Sequence, residues 1–114
     1  QASVSVLDDA VLVTLPAEQT ARDFDLLCVD VLAHVGNARA KWALLDLSGL
    51  LVLDEHGFRQ LEGLSAMLKL LGARMIVIGI RPGVIAGLAR LGIDLTGLRG
   101  ALTMDRALEI VRGG

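Results

Sequence analysis

The sequence lacks the features that mark several classes of protein. It has a single cysteine, Cys28, so no disulfide can form within the chain. It contains no block of Lys and Arg, and eleven basic against thirteen acidic residues give a net charge of −2. A basic surface able to neutralise nucleic-acid phosphates is therefore not expected. A lone thiol fits a reducing compartment, and we predict a cytoplasmic protein.

Long hydrophobic segments are also missing, although the chain as a whole is apolar. Hydrophobic residues make up 54% and the mean hydropathy is +0.61, yet the least charged run, 42–53, is interrupted by Asp46 and is far too short to cross a bilayer. No basic region followed by an apolar one marks a signal peptide. We expect a soluble protein without membrane insertion. Such an apolar domain must pack efficiently or cover apolar surface with a partner, which predicts a homo-oligomer.

The length of 114 residues is that of one domain. No repeat, low-complexity segment or linker interrupts the chain, so we expect a single domain over residues 1–114. The first residue is Gln1 rather than methionine. That start is expected of a trimmed chain, or of one domain cut from a larger protein.

The spacing of apolar residues predicts alternating strands and helices. A period of two, as in SVSVL, indicates a half-buried strand, and a period of three to four indicates an amphipathic helix. Near-continuous apolar runs, as in WALLDL and RMIVIGI, indicate strands covered on both faces. The predicted elements are strands 3–7 and 10–15, a helix from Thr20 to Gly36-Asn37, strand 42–47, a helix capped by Asp54 and ended by Gly72, strand 74–80, a helix from 81–83 to 91, an edge strand 101–102 and a helix 104–111.

This order, β-β-α-β-α-β-α-β-α, belongs to the α/β class. An initial hairpin followed by alternating strands and helices predicts a mixed, mostly parallel sheet with right-handed crossovers. We expect four or five strands and four helices.

Three segments carry a family resemblance: LLDLSGLLVLDEHGF (44–58), LLGARMIVIGIRPGVIAGLARLGIDL (70–95) and ALTMDRALEIV (101–111). They resemble STAS domains, the fold of bacterial anti-sigma factor antagonists, and within them the stressosome scaffold group. The family pattern has a strand ending in Asp-[Ile/Leu]-[Ser/Thr]-Gly, then Asp and a phosphorylatable Ser or Thr at a helix start. Gly-Ile-[Arg/Gln/Ser]-Pro and Leu-Gly-Ile follow.

The resemblance implies a non-catalytic signalling or scaffold module that works by protein–protein binding in a partner-switching or stressosome-type pathway. The implied partners are a kinase-type anti-sigma factor or switch kinase, other STAS domain proteins, or both, and no cofactor is implied. Contacts are expected at 50–58 and at the 79–83 turn. The residues predicted to bind a partner are Leu53, Asp54, Glu55, His56, Phe58, Arg81 and Pro82.

The sequence departs from the family at both phosphoacceptor positions. The first falls on Glu55 and the second, in the strand before Gly-Ile-Arg-Pro, falls on Ile78. Neither side chain has a hydroxyl that a kinase could use. Glu55 carries one charge and two oxygens where a phosphoserine would carry nearly two charges and three oxygens, so it can serve as a partial, permanent copy of the phosphorylated state. The alternative is that Glu55 only stabilises a helix start, as acidic residues do.

Other residues that suggest chemistry have simpler explanations. Adjacent residues of a helix diverge, so 54–56 cannot converge on one substrate atom, and no catalytic residue is predicted. His34, His56 and Cys28 lack the spacing of a structural metal site. Cys28 lies on an apolar helix face and is expected to pack as a small hydrophobe.

Three questions stay open at this point. Arg81 either holds an acidic residue of a partner or is solvated, and Trp42 either packs at the start of its strand or marks an interface. A sensory or ligand-binding STAS module of a larger transporter or lipid-trafficking system is the alternative function. A membrane or sensor region upstream in the gene would favour that alternative.

Overall fold

The computed structural model describes residues 2–101 and 103–113. Over these residues the chain forms strands and helices in the predicted order. The strands are β1 (Ser3–Leu7), β2 (Ala10–Thr14), β3 (Trp42–Asp46), β4 (Arg74–Ile78) and β5 (Gly100–Ala101). The helices are α1 (Ala21–Ala38), α2 (Glu55–Leu70), α3 (Pro82–Arg90) and α4 (Met104–Gly113).

The strands form one sheet in the order β1-β2-β3-β4-β5. β1 runs antiparallel to β2, and every later pair is parallel. The prediction of a mixed, mostly parallel sheet with an N-terminal hairpin is therefore confirmed. In β5, Gly100 and Ala101 pair with Val77 and Ile78, whereas Leu102, which the prediction also placed in this strand, lies outside the described residues.

Alternate residues of the central strands face two different helical layers, because successive side chains of a strand point to opposite faces. Leu45 and Val77 belong to the larger core cluster beneath α1, α2 and α3. Leu44 and Ile76 belong to the smaller cluster with Ala107 of α4. Among the described residues, no polar or charged residue is fully buried. Each buried leucine contributes about 1.5–3 kcal/mol, so hydrophobic burial holds the layers together.

Helix α1 begins with the predicted capping box. The Asp23 backbone N–H donates to the Thr20 hydroxyl oxygen at 3.1 Å, and the Thr20 N–H donates to an Asp23 carboxylate oxygen at 3.0 Å. These bonds satisfy two N–H groups that have no partner within the helix.

The predicted end of α1 at Gly36-Asn37 is wrong. The helix continues to Ala38 and ends at Arg39, whose φ of 52° and ψ of 40° are left-handed. The backbone N–H groups of Arg39 and Ala40 both donate to the Val35 carbonyl. Ala40 is buried, so the chain must turn back into the core there before β3 begins. This requirement, rather than Gly36, determines where α1 ends.

Low pH should destabilise the folded protein in part by protonating the carboxylate of Asp23. Hydrogen bonds from the Thr20 backbone N–H and hydroxyl hold the pKa of Asp23 below its usual 3.8. A carboxyl with a lowered folded-state pKa stabilises the protein above its unfolded-state pKa, and this contribution is lost as the pH falls through the folded value. Urea unfolding at pH 7 and pH 3 should show a smaller acid-induced loss for Asp23→Asn than for the wild type. Equal losses in the two proteins would contradict this account.

Candidate functional site

The predicted site residues gather where the parallel strands end. Because parallel strands share one carboxyl edge, the loops that follow β3 and β4 lie side by side there. The Ser48 N–H donates to an Asp46 carboxylate oxygen at 2.9 Å, and the Leu51 N–H donates to the Ala17 carbonyl at 3.0 Å. The segment between β3 and α2 is thus fixed at both its beginning and its middle.

Asp54 sets the start of α2. Its backbone is extended, with φ −91° and ψ 178°, and its carboxylate accepts the Gly57 N–H at 2.8 Å. This is the bond expected of an N-cap residue, and it makes Glu55 the first residue of the helix. The Asp54 carboxylate is therefore engaged in holding the helix start, and the neighbouring side chain of His56 is exposed.

Glu55 presents a loosely held carboxylate at this helix start. Its side chain is 60% exposed and lies 3.5 Å from an Arg59 guanidinium nitrogen. Arg59 makes a shorter contact, 2.7 Å, with Glu62. The hydrogen bond that Arg59 donates to Glu62 is the main reason that the pKa of Arg59 is raised, with smaller contributions from Glu55. An exposed pair as long as that of Glu55 contributes little, so a partner can replace Arg59 without much cost.

Two residues predicted to contact a partner lie in the core. Leu53 is 7% exposed and Phe58 is 1% exposed, and both pack in the cluster between the sheet and α1. A partner cannot reach them while the protein is folded, so the contact surface is revised to omit them.

Leu51 and Val52 are exposed apolar residues of the expected contact segment 50–58, although they were not among the individual residues predicted to bind a partner. Their exposed fractions are 55% and 70%. They flank the carboxyl edge between the buried Leu50 and Leu53. The sequence held no signal for which of them face solvent, because all four residues 50–53 are apolar and they lie outside helix and strand.

The turn between β4 and α3 is tied to the β3–α2 loop. The Arg81 Nε donates to the Ser48 carbonyl at 2.9 Å, and Pro82 occupies the first position of α3, where its missing N–H costs nothing. Arg81 therefore links the two loops by a hydrogen bond, while its side chain stays exposed to solvent. A groove of about 580 Å³ lies here, lined by Ser48, Gly79, Ile80, Arg81, Pro82, Ile85 and Ala86.

The other candidate residues do not contribute to this exposed surface. Ile78 is 2% exposed and faces α4 in the smaller cluster, and Trp42 packs in the same cluster at the start of β3. Cys28 is half-buried on α1, and this burial raises the pKa of its thiol. His34 lies on α1 beside Asp30.

The described residues, 2–101 and 103–113, contain no group of three or more His, Cys, Asp or Glu side chains arranged to hold a metal ion. Within the same ranges, no helix has the length and apolar character needed to span a membrane.

Comparison with known proteins agrees with the fold and with the quoted motifs. The model of the STAS domain family matches residues 1–106. The chain belongs to the STAS domain family. This STAS domain is 27% identical over 96 residues to the RsbT co-antagonist protein RsbRA of Bacillus subtilis, a match that covers 84% of this chain and 34% of RsbRA. The chain thus spans about a third of that relative.

Solved structures show where the fold recurs. A serine-to-glutamate variant of RsbS from Moorella thermoacetica has a TM-score of 0.83 and 26% identity, covering 99% of this STAS domain and 96% of that chain. A chain from a structure of the stressosome has a TM-score of 0.76 and 26% identity, covering 97% and 96%. The domain is therefore similar to stressosome proteins in sequence and in structure.

Two further structures share the fold alone. The anti-sigma factor antagonist SpoIIAA has a TM-score of 0.75 at 15% identity over the full length of both chains. The murine Solute Carrier 26 family member A9 anion transporter has a TM-score of 0.76 at 17% identity, covering 96% of this domain and 19% of the transporter.

The contact between α2 and α1 should depend on Gly57. A Cβ added there would lie 2.9 Å from Leu53 Cδ1 and 2.9 Å from Phe24 Cε2. Gly57→Ala should therefore lower the free energy of unfolding by about 1–3 kcal/mol, as overpacking does. Gly63→Ala is the matched control on the same helix, because its added Cβ would meet no atom within 4 Å beyond the adjacent backbone of α2.

The control, Gly63→Ala, should raise the free energy of unfolding by about 0.5–1 kcal/mol, since alanine forms helices more readily than glycine does. Urea unfolding of both variants measures the difference. If Gly57→Ala were as stable as Gly63→Ala, the close packing at the start of α2 would be refuted.

Proposed function

We propose that this STAS domain, as a single domain over residues 1–114, is a non-catalytic binding module of a partner-switching or stressosome-type pathway in the cytoplasm. The observation that carries the proposal is the exposed carboxylate of Glu55 on the first turn of α2. The family pattern has its phosphorylatable Ser or Thr at this position. The likeness to RsbRA, RsbS and the stressosome supports the same pathway type.

The proposed contact surface consists of the exposed residues of the carboxyl edge. Asp54, Glu55 and His56 come from the start of α2, and Arg81 and Pro82 come from the turn before α3. Leu51 and Val52 add apolar area beside these charges, and apolar anchors surrounded by polar groups are typical of protein interfaces. The proposed partners are a kinase-type anti-sigma factor or switch kinase, other STAS domain proteins, or both.

Glu55 would act as a fixed negative charge. It has one charge where a phosphoserine has nearly two, and its contact with Arg59 is weak enough to be exchanged. The RsbS variant of the same fold also carries a glutamate in place of a serine, which is the kind of replacement proposed here. Under this proposal the domain stays in one signalling state, because a kinase cannot modify it at this position.

Restoring a hydroxyl should restore phosphate acceptance. Incubated with the kinase-type partner and ATP, the wild type should stay unmodified in residues 50–60, which contain no Ser, Thr or Tyr. Glu55→Ser should gain one phosphate in this segment, detectable by mass spectrometry, because Asp54 still caps the helix. A kinase that binds the Glu55→Ser variant without modifying it would contradict the assignment of Glu55 to the acceptor position.

Removing the charge should weaken partner binding. Glu55→Ala should raise the Kd at least about tenfold. A first-turn acid stabilises its helix by only about 0.3–1 kcal/mol, so a larger loss of binding indicates a direct contact. Glu109→Ala is the matched control, because Glu109 is 63% exposed and also pairs with an arginine of its own helix, Arg106.

The control variant should bind the partner as the wild type does. If Glu55→Ala also binds as the wild type does, Glu55 is only a helix-stabilising acid and the fixed-charge mechanism is lost. The family assignment does not depend on that result.

The alternative, a sensory or ligand-binding module of a larger system, is favoured by one observation: the fold recurs within an anion transporter. Two observations distinguish the two functions. A membrane or sensor region encoded upstream would favour the alternative, whereas a kinase-type anti-sigma factor that binds the isolated domain would favour the proposal above.

A further inference from the structure

The charges of this domain are segregated between its two ends. Because each helix after β2 starts where a parallel strand ends, the loops of the carboxyl edge form one end. The charged residues of these loops and of the first helical turns that follow them are Glu18, Arg22, Asp23, Asp46, Asp54, Glu55, Arg81, Asp105 and Arg106. This end is predominantly acidic.

The helix ends and strand starts form the opposite end, which we call the amino edge. Its basic residues are Arg39, Lys41, Lys69, Arg74, Arg90 and Arg112. They outnumber the acidic residues at the same edge, which are Asp8 and Asp9 of the β1–β2 turn and Asp94 of the loop after α3. The negative ends of the helix dipoles also lie at this edge. Their partial charge is smaller than the charge of the basic residues, so this end stays positive.

Both ends expose large apolar side chains among these charges. At the amino edge, Leu70 is 81% exposed, Leu91 is 66% exposed and Leu71 is 52% exposed. At the carboxyl edge, Val52 and Leu51 are exposed to 70% and 55%. Apolar surface rimmed by charge is typical of a binding site, and here one chain carries two such surfaces of opposite charge.

We propose that the amino edge of one copy binds the carboxyl edge of the next copy. The charges of unlike ends attract and those of like ends repel, so the contact is head-to-tail rather than two-fold. Such a contact leaves one free binding end on each outer copy, and therefore builds rings or open chains. The bound copy covers Glu55.

Self-association therefore competes with partner binding at the carboxyl edge. Only this competition rests on the proposed function, since the head-to-tail contact needs no other protein. A second copy is favoured over an anionic lipid surface because the complementary acidic and apolar surface is present on the same chain.

Two blocked variants test the contact. Glu18→Lys with Val52→Lys blocks the carboxyl edge, and Leu70→Glu with Leu91→Glu blocks the amino edge. All four side chains are exposed, so thermal melting should show both variants folded. Each block places charge opposite in sign to that of its own edge and removes apolar area, so each should raise the Kd of self-association at least about tenfold.

Sedimentation measures the outcome. The wild type should form species larger than a dimer at low salt, and these should dissociate as salt screens the charges. Each blocked variant alone should be monomeric, whereas an equimolar mixture should form a one-to-one dimer, because one variant keeps its amino edge and the other its carboxyl edge.

Three results would overturn the proposal. The first is a mixture that stays monomeric, and the second is a blocked variant that associates as the wild type does, which indicates a two-fold contact elsewhere. The third is a monomeric wild type that binds phosphatidylserine vesicles through Leu70 and Leu91, which indicates a membrane surface.

The proposed function is tested separately by partner affinity. The variant blocked at the amino edge should bind the kinase-type partner at least as tightly as the wild type does, since its carboxyl edge is unchanged. If self-association fails while Glu55→Ala still weakens partner binding, only the head-to-tail contact is wrong.

Discussion

Burial of β3 on both faces is the constraint on which the rest of this domain depends. Trp42 is 6% exposed and the next three residues are fully buried, because α4 covers one face of the sheet and α1 and α2 cover the other. A strand in this position can carry only apolar side chains, since an unpaired buried polar group costs several kcal/mol by rough estimate. Polar and charged groups must therefore lie at the strand ends or on the outer helix faces.

The functional surface follows from that exclusion. Polar residues first appear where β3 ends, at Asp46 and Ser48, and the loop beyond them is short and hydrogen-bonded. Asp54 then starts α2, and the close approach of Gly57 to Phe24 fixes the direction of the helix. The packed core thus sets the position from which the Glu55 carboxylate points into solvent.

Much of this architecture could be predicted because local signals and burial agreed. The periodicities located the hairpin and the helices, and a capping box marked the start of α1. The family pattern located the contact segment but did not show which of its side chains are exposed. The predicted binding residues therefore included Leu53 and Phe58, which lie in the core, and omitted the exposed Val52. The end of α1 at Arg39 was missed because tertiary burial of the following residue overrode the local glycine signal. The segregation of charge between the two ends appears only once the direction of every element is known.

The most direct measurement asks whether Glu55 acts through its charge. Glu55→Gln keeps the length and shape of the side chain and one acceptor oxygen, and it removes the charge. Calorimetric titration with the kinase-type partner should then give a Kd at least about tenfold above that of the wild type, with Glu109→Gln unchanged. A Glu55→Gln variant that binds as tightly as the wild type would contradict the account, because a fixed negative charge would then play no part in partner binding.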